Sequence, residues 1–317
     1  MSSKSNDQGR AYEFAYILML EQELKNANII VNVDKANGFQ AAKKSWQLLD
    51  PLMQSLYQKS ALAGVNLIFE LEPLILENKP VTLCIQTDNK GEQGDVRDIL
   101  ISRDDIAWMI GLSVKHNHFA VKHSRLSPNI DFAQKWFNLS CSANYWQAAK
   151  PIFERLKELK NKGVKWRELD NKESHIYAPL LRAFIDEINH QYHHQGSLVP
   201  TKMVEYLLGE FDFYKAISVD KKQLTTIQSF NLRGTLNQPS KKAQAKMIVP
   251  IVHLPTRIFH CDFKPDSNNT VEMILDEGWQ FSFRIHNAST KVEPSLKFDI
   301  QFIGMPTAIV SIDCKWQ

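Results

Sequence analysis

Phe14, Ile17, Leu18, Leu20 and Leu24 recur at the three-to-four-residue spacing of one helix face, so residues 12–24 are predicted to form a helix. Residues 40–49 and 52–62 carry the same periodicity and are separated by Pro51, whose ring disfavours helical geometry in the residue before it. The period then changes. Residues 81–86, 96–102 and 106–115 are short runs rich in β-branched and apolar residues. The polar Arg103-Asp104-Asp105 divides the second run from the third, which predicts one strand followed by a hairpin. Helical spacing returns over residues 145–160, 176–191 and 202–211. Four strand-like runs close the chain, at 271–275, 279–286, 296–302 and 308–315. Between the first two, Asp276-Glu277-Gly278 is a natural turn, because glycine accepts positive φ. The predicted class is therefore α/β (α+β), with an α/β part over residues 1–144, a helical region over 145–217 and a β-rich region over 218–317. Residues 237–246, with Pro239 and several lysines, read as a flexible insertion.

Composition narrows this picture. Of 317 residues, 44% are hydrophobic and 23% charged, which argues against disordered and fibrous classes. The start, MSSKSNDQGRAYEF, has no apolar secretory core, and no apolar run reaches membrane-spanning length. Cys84, Cys141, Cys261 and Cys314 lie far apart without a CxxC pair. That spacing argues against a disulfide framework or a zinc ribbon and fits a reduced, cytoplasmic protein. The net charge of +3 conceals an uneven distribution: residues 111–167 hold 11 Lys and Arg against 3 Asp and Glu, whereas residues 1–110 hold 11 against 15. The basic segment is a candidate contact for a polyanion.

The chemistry converges on the predicted hairpin. Alternation places Gly111, Ser113 and Lys115 on one face of its second strand and Ile110, Leu112 and Val114 on the other. Asp98 opens the first strand and Lys115 closes the second, so antiparallel pairing brings a carboxylate to an ammonium. Phosphodiester hydrolysis uses such a pair: a carboxylate holds Mg²⁺, which favours oxygen ligands, and a lysine orients the attacking water or stabilises developing charge. An ordinary salt bridge has the same spacing. Glu13 is the only charged residue in residues 12–20 and is a candidate further metal ligand delivered by the first helix. Asp95 competes with Asp98 within Gly94-Asp95-Val96-Arg97-Asp98; Asp98 is preferred because it leads directly into Ile99-Leu100-Ile101.

Residues 94–115 resemble a divergent PD-(D/E)xK nuclease core. The wider pattern resembles type II restriction endonucleases of the HaeIII family, through NDQGRAYE at 6–13, GLSVKHNHFAVKHSRL at 111–126, GWQFSFRIHNA at 278–288 and SLKFDI at 295–300. The likeness implies a Mg²⁺-dependent enzyme that cuts double-stranded DNA at a short palindrome, GGCC for this family, between G and C. With the residue reading above, the candidate catalytic set is Asp98, Glu13, Lys115 and Ser113. A homodimer on DNA and a cognate DNA methyltransferase as cellular companion follow from the likeness. A structure- or damage-specific nuclease of the superfamily, or a non-catalytic DNA-binding protein, are the alternatives.

One departure stands out: the superfamily motif has Asp or Glu two residues before the lysine, where this chain has Ser113. Glu13 or the backbone carbonyl of Val114 is a candidate replacement ligand alongside Asp98. His116, His118, Lys122, His123 and Arg125 read as a basic loop contacting phosphates, which positions a strand without reading its sequence. The adjacent His116-Asn117-His118 is not the ββα-metal nuclease motif, whose three residues are spread along the chain. Arg284 and His286, on the polar face of the predicted strand 279–286, and Asn287 in the loop after it are candidates for base contacts in the major groove.

Overall fold

The computed structural model describes residues 4–87, 95–241 and 244–317; Gly94, at the start of the nuclease-like segment, and Lys242 and Ala243, in the lysine-bearing loop, lie outside the described residues. In chain order the first elements are α1 (Lys4–Asn26), β1 (Val31–Val33), α2 (Asn37–Gln47), α3 (Pro51–Leu71), β2 (Val81–Ile85), β3 (Ile99–Arg103) and β4 (Trp108–His116). Then come β5 (Arg125–Leu126), α4 (Phe132–Phe137), α5 (Ala143–Asn161), α6 (Ala178–Gln195) and α7 (Leu198–Leu208). The chain finishes with β6 (Phe213–Val219), β7 (Leu224–Phe230), β8 (Ile258–Phe263), β9 (Thr270–Leu275), β10 (Gln280–Asn287), β11 (Leu296–Gly304) and β12 (Ser311–Lys315). Among the described residues, no helix is long and apolar enough to cross a membrane.

These elements gather into two compact units that do not follow chain order: Met1–Phe119 with Glu210–Val252 and Thr307–Gln317, and Ala120–Gly209 with His253–Pro306. The first unit holds a seven-stranded sheet in the order β1-β2-β3-β4-β6-β7-β12. The boundaries 144/145 and 217/218 do not coincide with this division, because β6 pairs in parallel with β4 and β12 pairs with β7. Residues 213–217, placed by periodicity at the end of a helical region, are thus a central strand, and the helical spacing stops at Leu208. β6 is buried along nearly its whole length, and a strand covered on both faces has no alternation to betray it.

Local signals explain the elements that the periodicity does find. Pro51 occupies the first turn of α3, where its missing N–H costs nothing, and the Asp50 side chain caps the helix by accepting from the Met53 amide at 2.9 Å. The β3–β4 turn closes through Ala107 at φ 51°. Arg103 anchors it from a buried position, donating to Glu77 at 2.8 Å, Asp105 at 2.9 Å and the Leu74 carbonyl at 3.0 Å. The helices α1 to α3 contribute Tyr12, Tyr16, Leu20, Val65 and Ile68 to one core with Ile110, Leu112, Val114, Tyr214 and Ala216. Gly111, Ser113, Lys115 and the residues paired with them, Phe213, Lys215 and Ile217, therefore belong to the opposite face of the sheet. The segment read as an insertion is tied down at both ends: Asn237 donates to the Leu71 carbonyl at 2.6 Å, and Lys246 pairs with Glu70 at 2.7 Å.

The second unit contains a five-stranded antiparallel sheet in the order β5-β11-β10-β9-β8. The predicted two-faced strand is present: Trp279, Phe281, Phe283 and Ile285 are fully buried, whereas Arg284 is exposed. Rings from α4 and α6 cover the apolar face, with Trp136 stacked 5.9 Å from Phe283 and Phe184 5.0 Å from Phe298. Gly278, at φ 87°, makes the turn into β10.

Candidate active site

The hairpin register builds the first half of the site. Ile99 pairs with Leu112, and the Asp98 amide donates to the Leu112 carbonyl at 2.8 Å, which sets Asp98 beside the following three residues of β4. Its Oδ2 accepts from Lys115 Nζ at 2.9 Å, from the Val114 amide at 2.8 Å and from Ser113 Oγ at 3.2 Å. A carboxylate accepting three donors at one oxygen is held in a single orientation. Ser113, buried where the superfamily has an acid, donates to the metal-ligand candidate and adds no charge of its own. The side chains of Lys115 and Asp98 remain 31% and 22% exposed, so a substrate can reach the pair.

Burial pulls the Lys115 ammonium towards its neutral form, but the charge and hydrogen bond of Asp98, together with the charge of Glu13, outweigh it and hold the pKa above the ordinary lysine value. Glu13, on α1, thus acts on Lys115 in the same sense as Asp98, with the smaller effect of the two. Asp95 is engaged elsewhere. It accepts from Arg97 Nε and Nη2, both at 2.8 Å, and from Gln86 at 2.9 Å. Burial opposes its carboxylate, yet these bonds keep its pKa below the usual range. Arg97 in turn lies over the Phe211 ring at 3.9 Å and crosses Gly111, where an added Cβ would fall 2.0 Å from its Cδ. Of the two competing aspartates, Asp98 is the one joined to the lysine.

His116 is the half-buried last residue of β4 and not part of the loop that follows. Its Nε2 lies 2.8 Å from Asp220 Oδ2 and its Nδ1 3.2 Å from Tyr57 Oη. Asn117, at φ 51°, donates through Nδ2 to the same carboxylate oxygen at 2.8 Å and accepts from the Asp220 amide at 3.0 Å. Tyr57, Asp220 and Lys215 escaped the sequence reading because they come from α3 and from β6 and the turn after it, distant in the chain and without a motif. Asp220 and Lys215 become visible only once β6 is placed beside β4.

The remainder of the basic stretch divides between the two units after Phe119. His118 is exposed in the first. In the second, Lys122 donates to the Tyr206 carbonyl at 2.7 Å and lies 3.9 Å over its ring; burial, with Lys135 adding repulsion, pushes its pKa down to about 8. His123 faces the Phe298 carbonyl at 3.2 Å, and Arg125, exposed, donates to Ser295 Oγ at 3.2 Å. Arg284, 57% exposed, pairs loosely with Asp299 at 3.3 Å on the polar face of β10. His286 Nδ1 contacts the Asn287 carbonyl at 2.9 Å, while the Asn287 side chain accepts from Tyr177 Oη at 3.1 Å and donates to the Ser289 carbonyl at 3.0 Å. Asn287 thus shapes the turn after the strand.

A carboxylate fixed by a lysine on an accessible sheet face, with the charge of Glu13 acting on that lysine, suits hydrolysis of a phosphodiester. Comparison with known proteins agrees. Residues 9–306 match the family described as HaeIII restriction endonuclease. The chain is 58% identical over 318 residues to the type II restriction enzyme HaeIII of Haemophilus aegyptius, with all of both chains covered. No solved structure matches it.

Proposed function

The chain belongs to the HaeIII restriction endonuclease family and is a type II site-specific deoxyribonuclease, and from that premise we propose that Asp98, Lys115 and Glu13 form its hydrolytic centre. The convergence of Lys115, Val114 and Ser113 on one oxygen of Asp98 is the observation that carries this reading. Type II restriction endonucleases generally use a divalent metal, and Mg²⁺ is the proposed ion here. The donor chemistry fits a hard cation: Asp98 and Glu13 offer carboxylate oxygens, and the three bonds at Oδ2 leave Oδ1 outside the donor cluster. The Val114 carbonyl is the candidate third ligand. When bound, the ion supplies Lewis acidity at the phosphate and lowers the pKa of a water.

The chain's own groups do the rest. Ser113 and the Val114 amide orient Asp98, and Lys115, kept protonated, orients the nucleophilic water and balances charge that develops on the phosphate. The proposed target is GGCC, cut between G and C. A palindrome cut in both strands is matched by a two-fold homodimer, since the symmetry of the target mirrors that of the protein. The proposed setting is the bacterial cytoplasm, with a cognate methyltransferase protecting the host DNA. Mapping the ends produced from a long DNA tests the target: a single set of ends within GGCC is expected, and ends at another sequence or at no fixed sequence refute it.

His118 and Arg125 are proposed phosphate contacts, and the polar face of β10 a reader of base edges. His116, Lys122, His123, His286 and Asn287 fit supporting roles on the partners described above. Arg284 is long enough and exposed enough to address guanine O6 and N7, a contact worth about 1–3 kcal/mol of discrimination. Arg284→Ala is expected to weaken binding to the cognate duplex roughly 5- to 150-fold while leaving affinity for random DNA nearly unchanged. An equal loss on both duplexes makes Arg284 a phosphate contact.

A further inference from the structure

Lys215 is a buried amine on the face of the sheet that bears Asp98 and Lys115, and the proposed chemistry does not use it. In the parallel pairing of β4 with β6 it stands opposite Ser113, and paired residues direct their side chains to the same face. Ser113 and Lys115, both bonded to Asp98, occupy that face. Lys215 is only 4% exposed, although lysine is almost never buried without a specific partner. Its Nζ donates to the Phe119 carbonyl at 3.0 Å. Burial, reinforced by repulsion from Lys115 and opposed by Asp98, brings its pKa down to about 7.

The position of Phe119 gives this bond a purpose. Phe119 lies just beyond the end of β4, in the segment by which the chain leaves the strand carrying Lys115. The segment turns at Asn117, whose amide donates to the Ser218 carbonyl at 3.0 Å and whose side chain grips Asp220. These bonds fix its beginning. The bond from Lys215 fixes its end and draws the segment towards the face that bears the catalytic pair. We propose that Lys215 is a positioning residue for DNA cleavage, holding residues 117–119, with the exposed His118 among them, in one arrangement beside Lys115. This role rests on the assignment of the hydrolytic centre made above. A misplacement of about 1 Å near reacting groups costs on the order of 100-fold in rate, so a buried anchor for this segment has leverage on the chemical step.

The test is single-turnover cleavage of a cognate duplex by full-length Lys215→Met and Lys215→Arg, with affinity for the same duplex measured in Ca²⁺. Lys215→Met is expected to slow cleavage roughly 10- to 100-fold per folded molecule, with DNA affinity within about twofold of wild type. Lys215→Arg, which keeps an N–H donor for the Phe119 carbonyl, is expected to cut faster than the methionine variant. A purely structural lysine would lower the melting temperature and leave cleavage per folded molecule at the wild-type rate, and that result overturns the proposal. Should the methionine variant fail to fold, Lys215→Gln, one atom shorter, takes its place under the same two readings. Lys115→Ala run alongside separates the claims. Its inactivity combined with wild-type cleavage by Lys215→Met overturns the role of Lys215 alone, whereas wild-type cleavage by Lys115→Ala overturns the hydrolytic centre and this role with it.

Discussion

Lys115→Ala should lose cleavage by at least about 100- to 1,000-fold while still binding cognate DNA in Ca²⁺. The expectation follows from three features. The ammonium is 2.9 Å from Asp98, its side chain is 31% exposed on an accessible face, and neighbouring carboxylates keep it protonated against the effect of burial. A preorganised cation in a partly dehydrated site acts on charge that develops in the transition state, so its removal reduces the rate much more than the affinity. Alanine also leaves Asp98 its bonds from the Val114 amide and Ser113, so the fold should persist. Single-turnover rates with Mg²⁺ and binding with Ca²⁺ provide the check. Cleavage at the wild-type rate means that Lys115 is not in the machinery.

Asp98→Asn should be equally inactive, by on the order of 1,000-fold, and should differ from Lys115→Ala in a second measurement. The amide keeps the size of the carboxylate but not its charge, and one end of it becomes a donor. Where Oδ2 meets three donors, a nitrogen in that place opposes the Val114 amide and the Lys115 ammonium, and an oxygen in that place turns the nitrogen towards the proposed cation. Either orientation weakens cation binding. Titration of Mn²⁺ or Mg²⁺ by calorimetry is therefore expected to show a large loss of affinity in Asp98→Asn and a much smaller change in Lys115→Ala. Undiminished metal affinity in Asp98→Asn would transfer the ligand role to Glu13 or to a residue outside this cluster. Asp95 is a poor substitute, because Arg97 and Gln86 already occupy its oxygens.

The two aspartates show how local sequence and tertiary structure share the assignment. Both lie in one short polar stretch, and position alone favoured Asp98 only because it borders Ile99-Leu100-Ile101. The decision is made across the hairpin, where the register sets Asp98 against the Ser113-Val114-Lys115 run. Ser113 teaches a similar lesson. As a letter it is a defect in an acid-x-lysine motif; in the fold its hydroxyl supports the acid delivered by the neighbouring strand. The basic stretch after β4 went the other way. Its composition suggested one phosphate-facing loop, but His116 is held by Asp220 and Tyr57, and Lys122 is turned onto Tyr206. Charge counts do not distinguish a cation facing solvent from one whose ammonium is tied to a carbonyl.

Read alone, the sequence determined whatever depends on neighbours within a few positions. The helices of the first seventy residues follow from a 3.6-residue period and the Asp50-Pro51 start signal, and the β3–β4 hairpin from two apolar runs about a polar turn. The two-faced β10 follows from strict alternation. The motifs that carry family membership are local as well. Only the tertiary structure decided that β6, buried along nearly its whole length and without alternation, lies beside β4, because parallel pairing joins residues about a hundred positions apart and local periodicity does not report it. That one pairing brings Lys215 to the face that bears Asp98 and Lys115 and sets Asp220 against His116 at the strand end, relations of which the sequence displayed only the hairpin half.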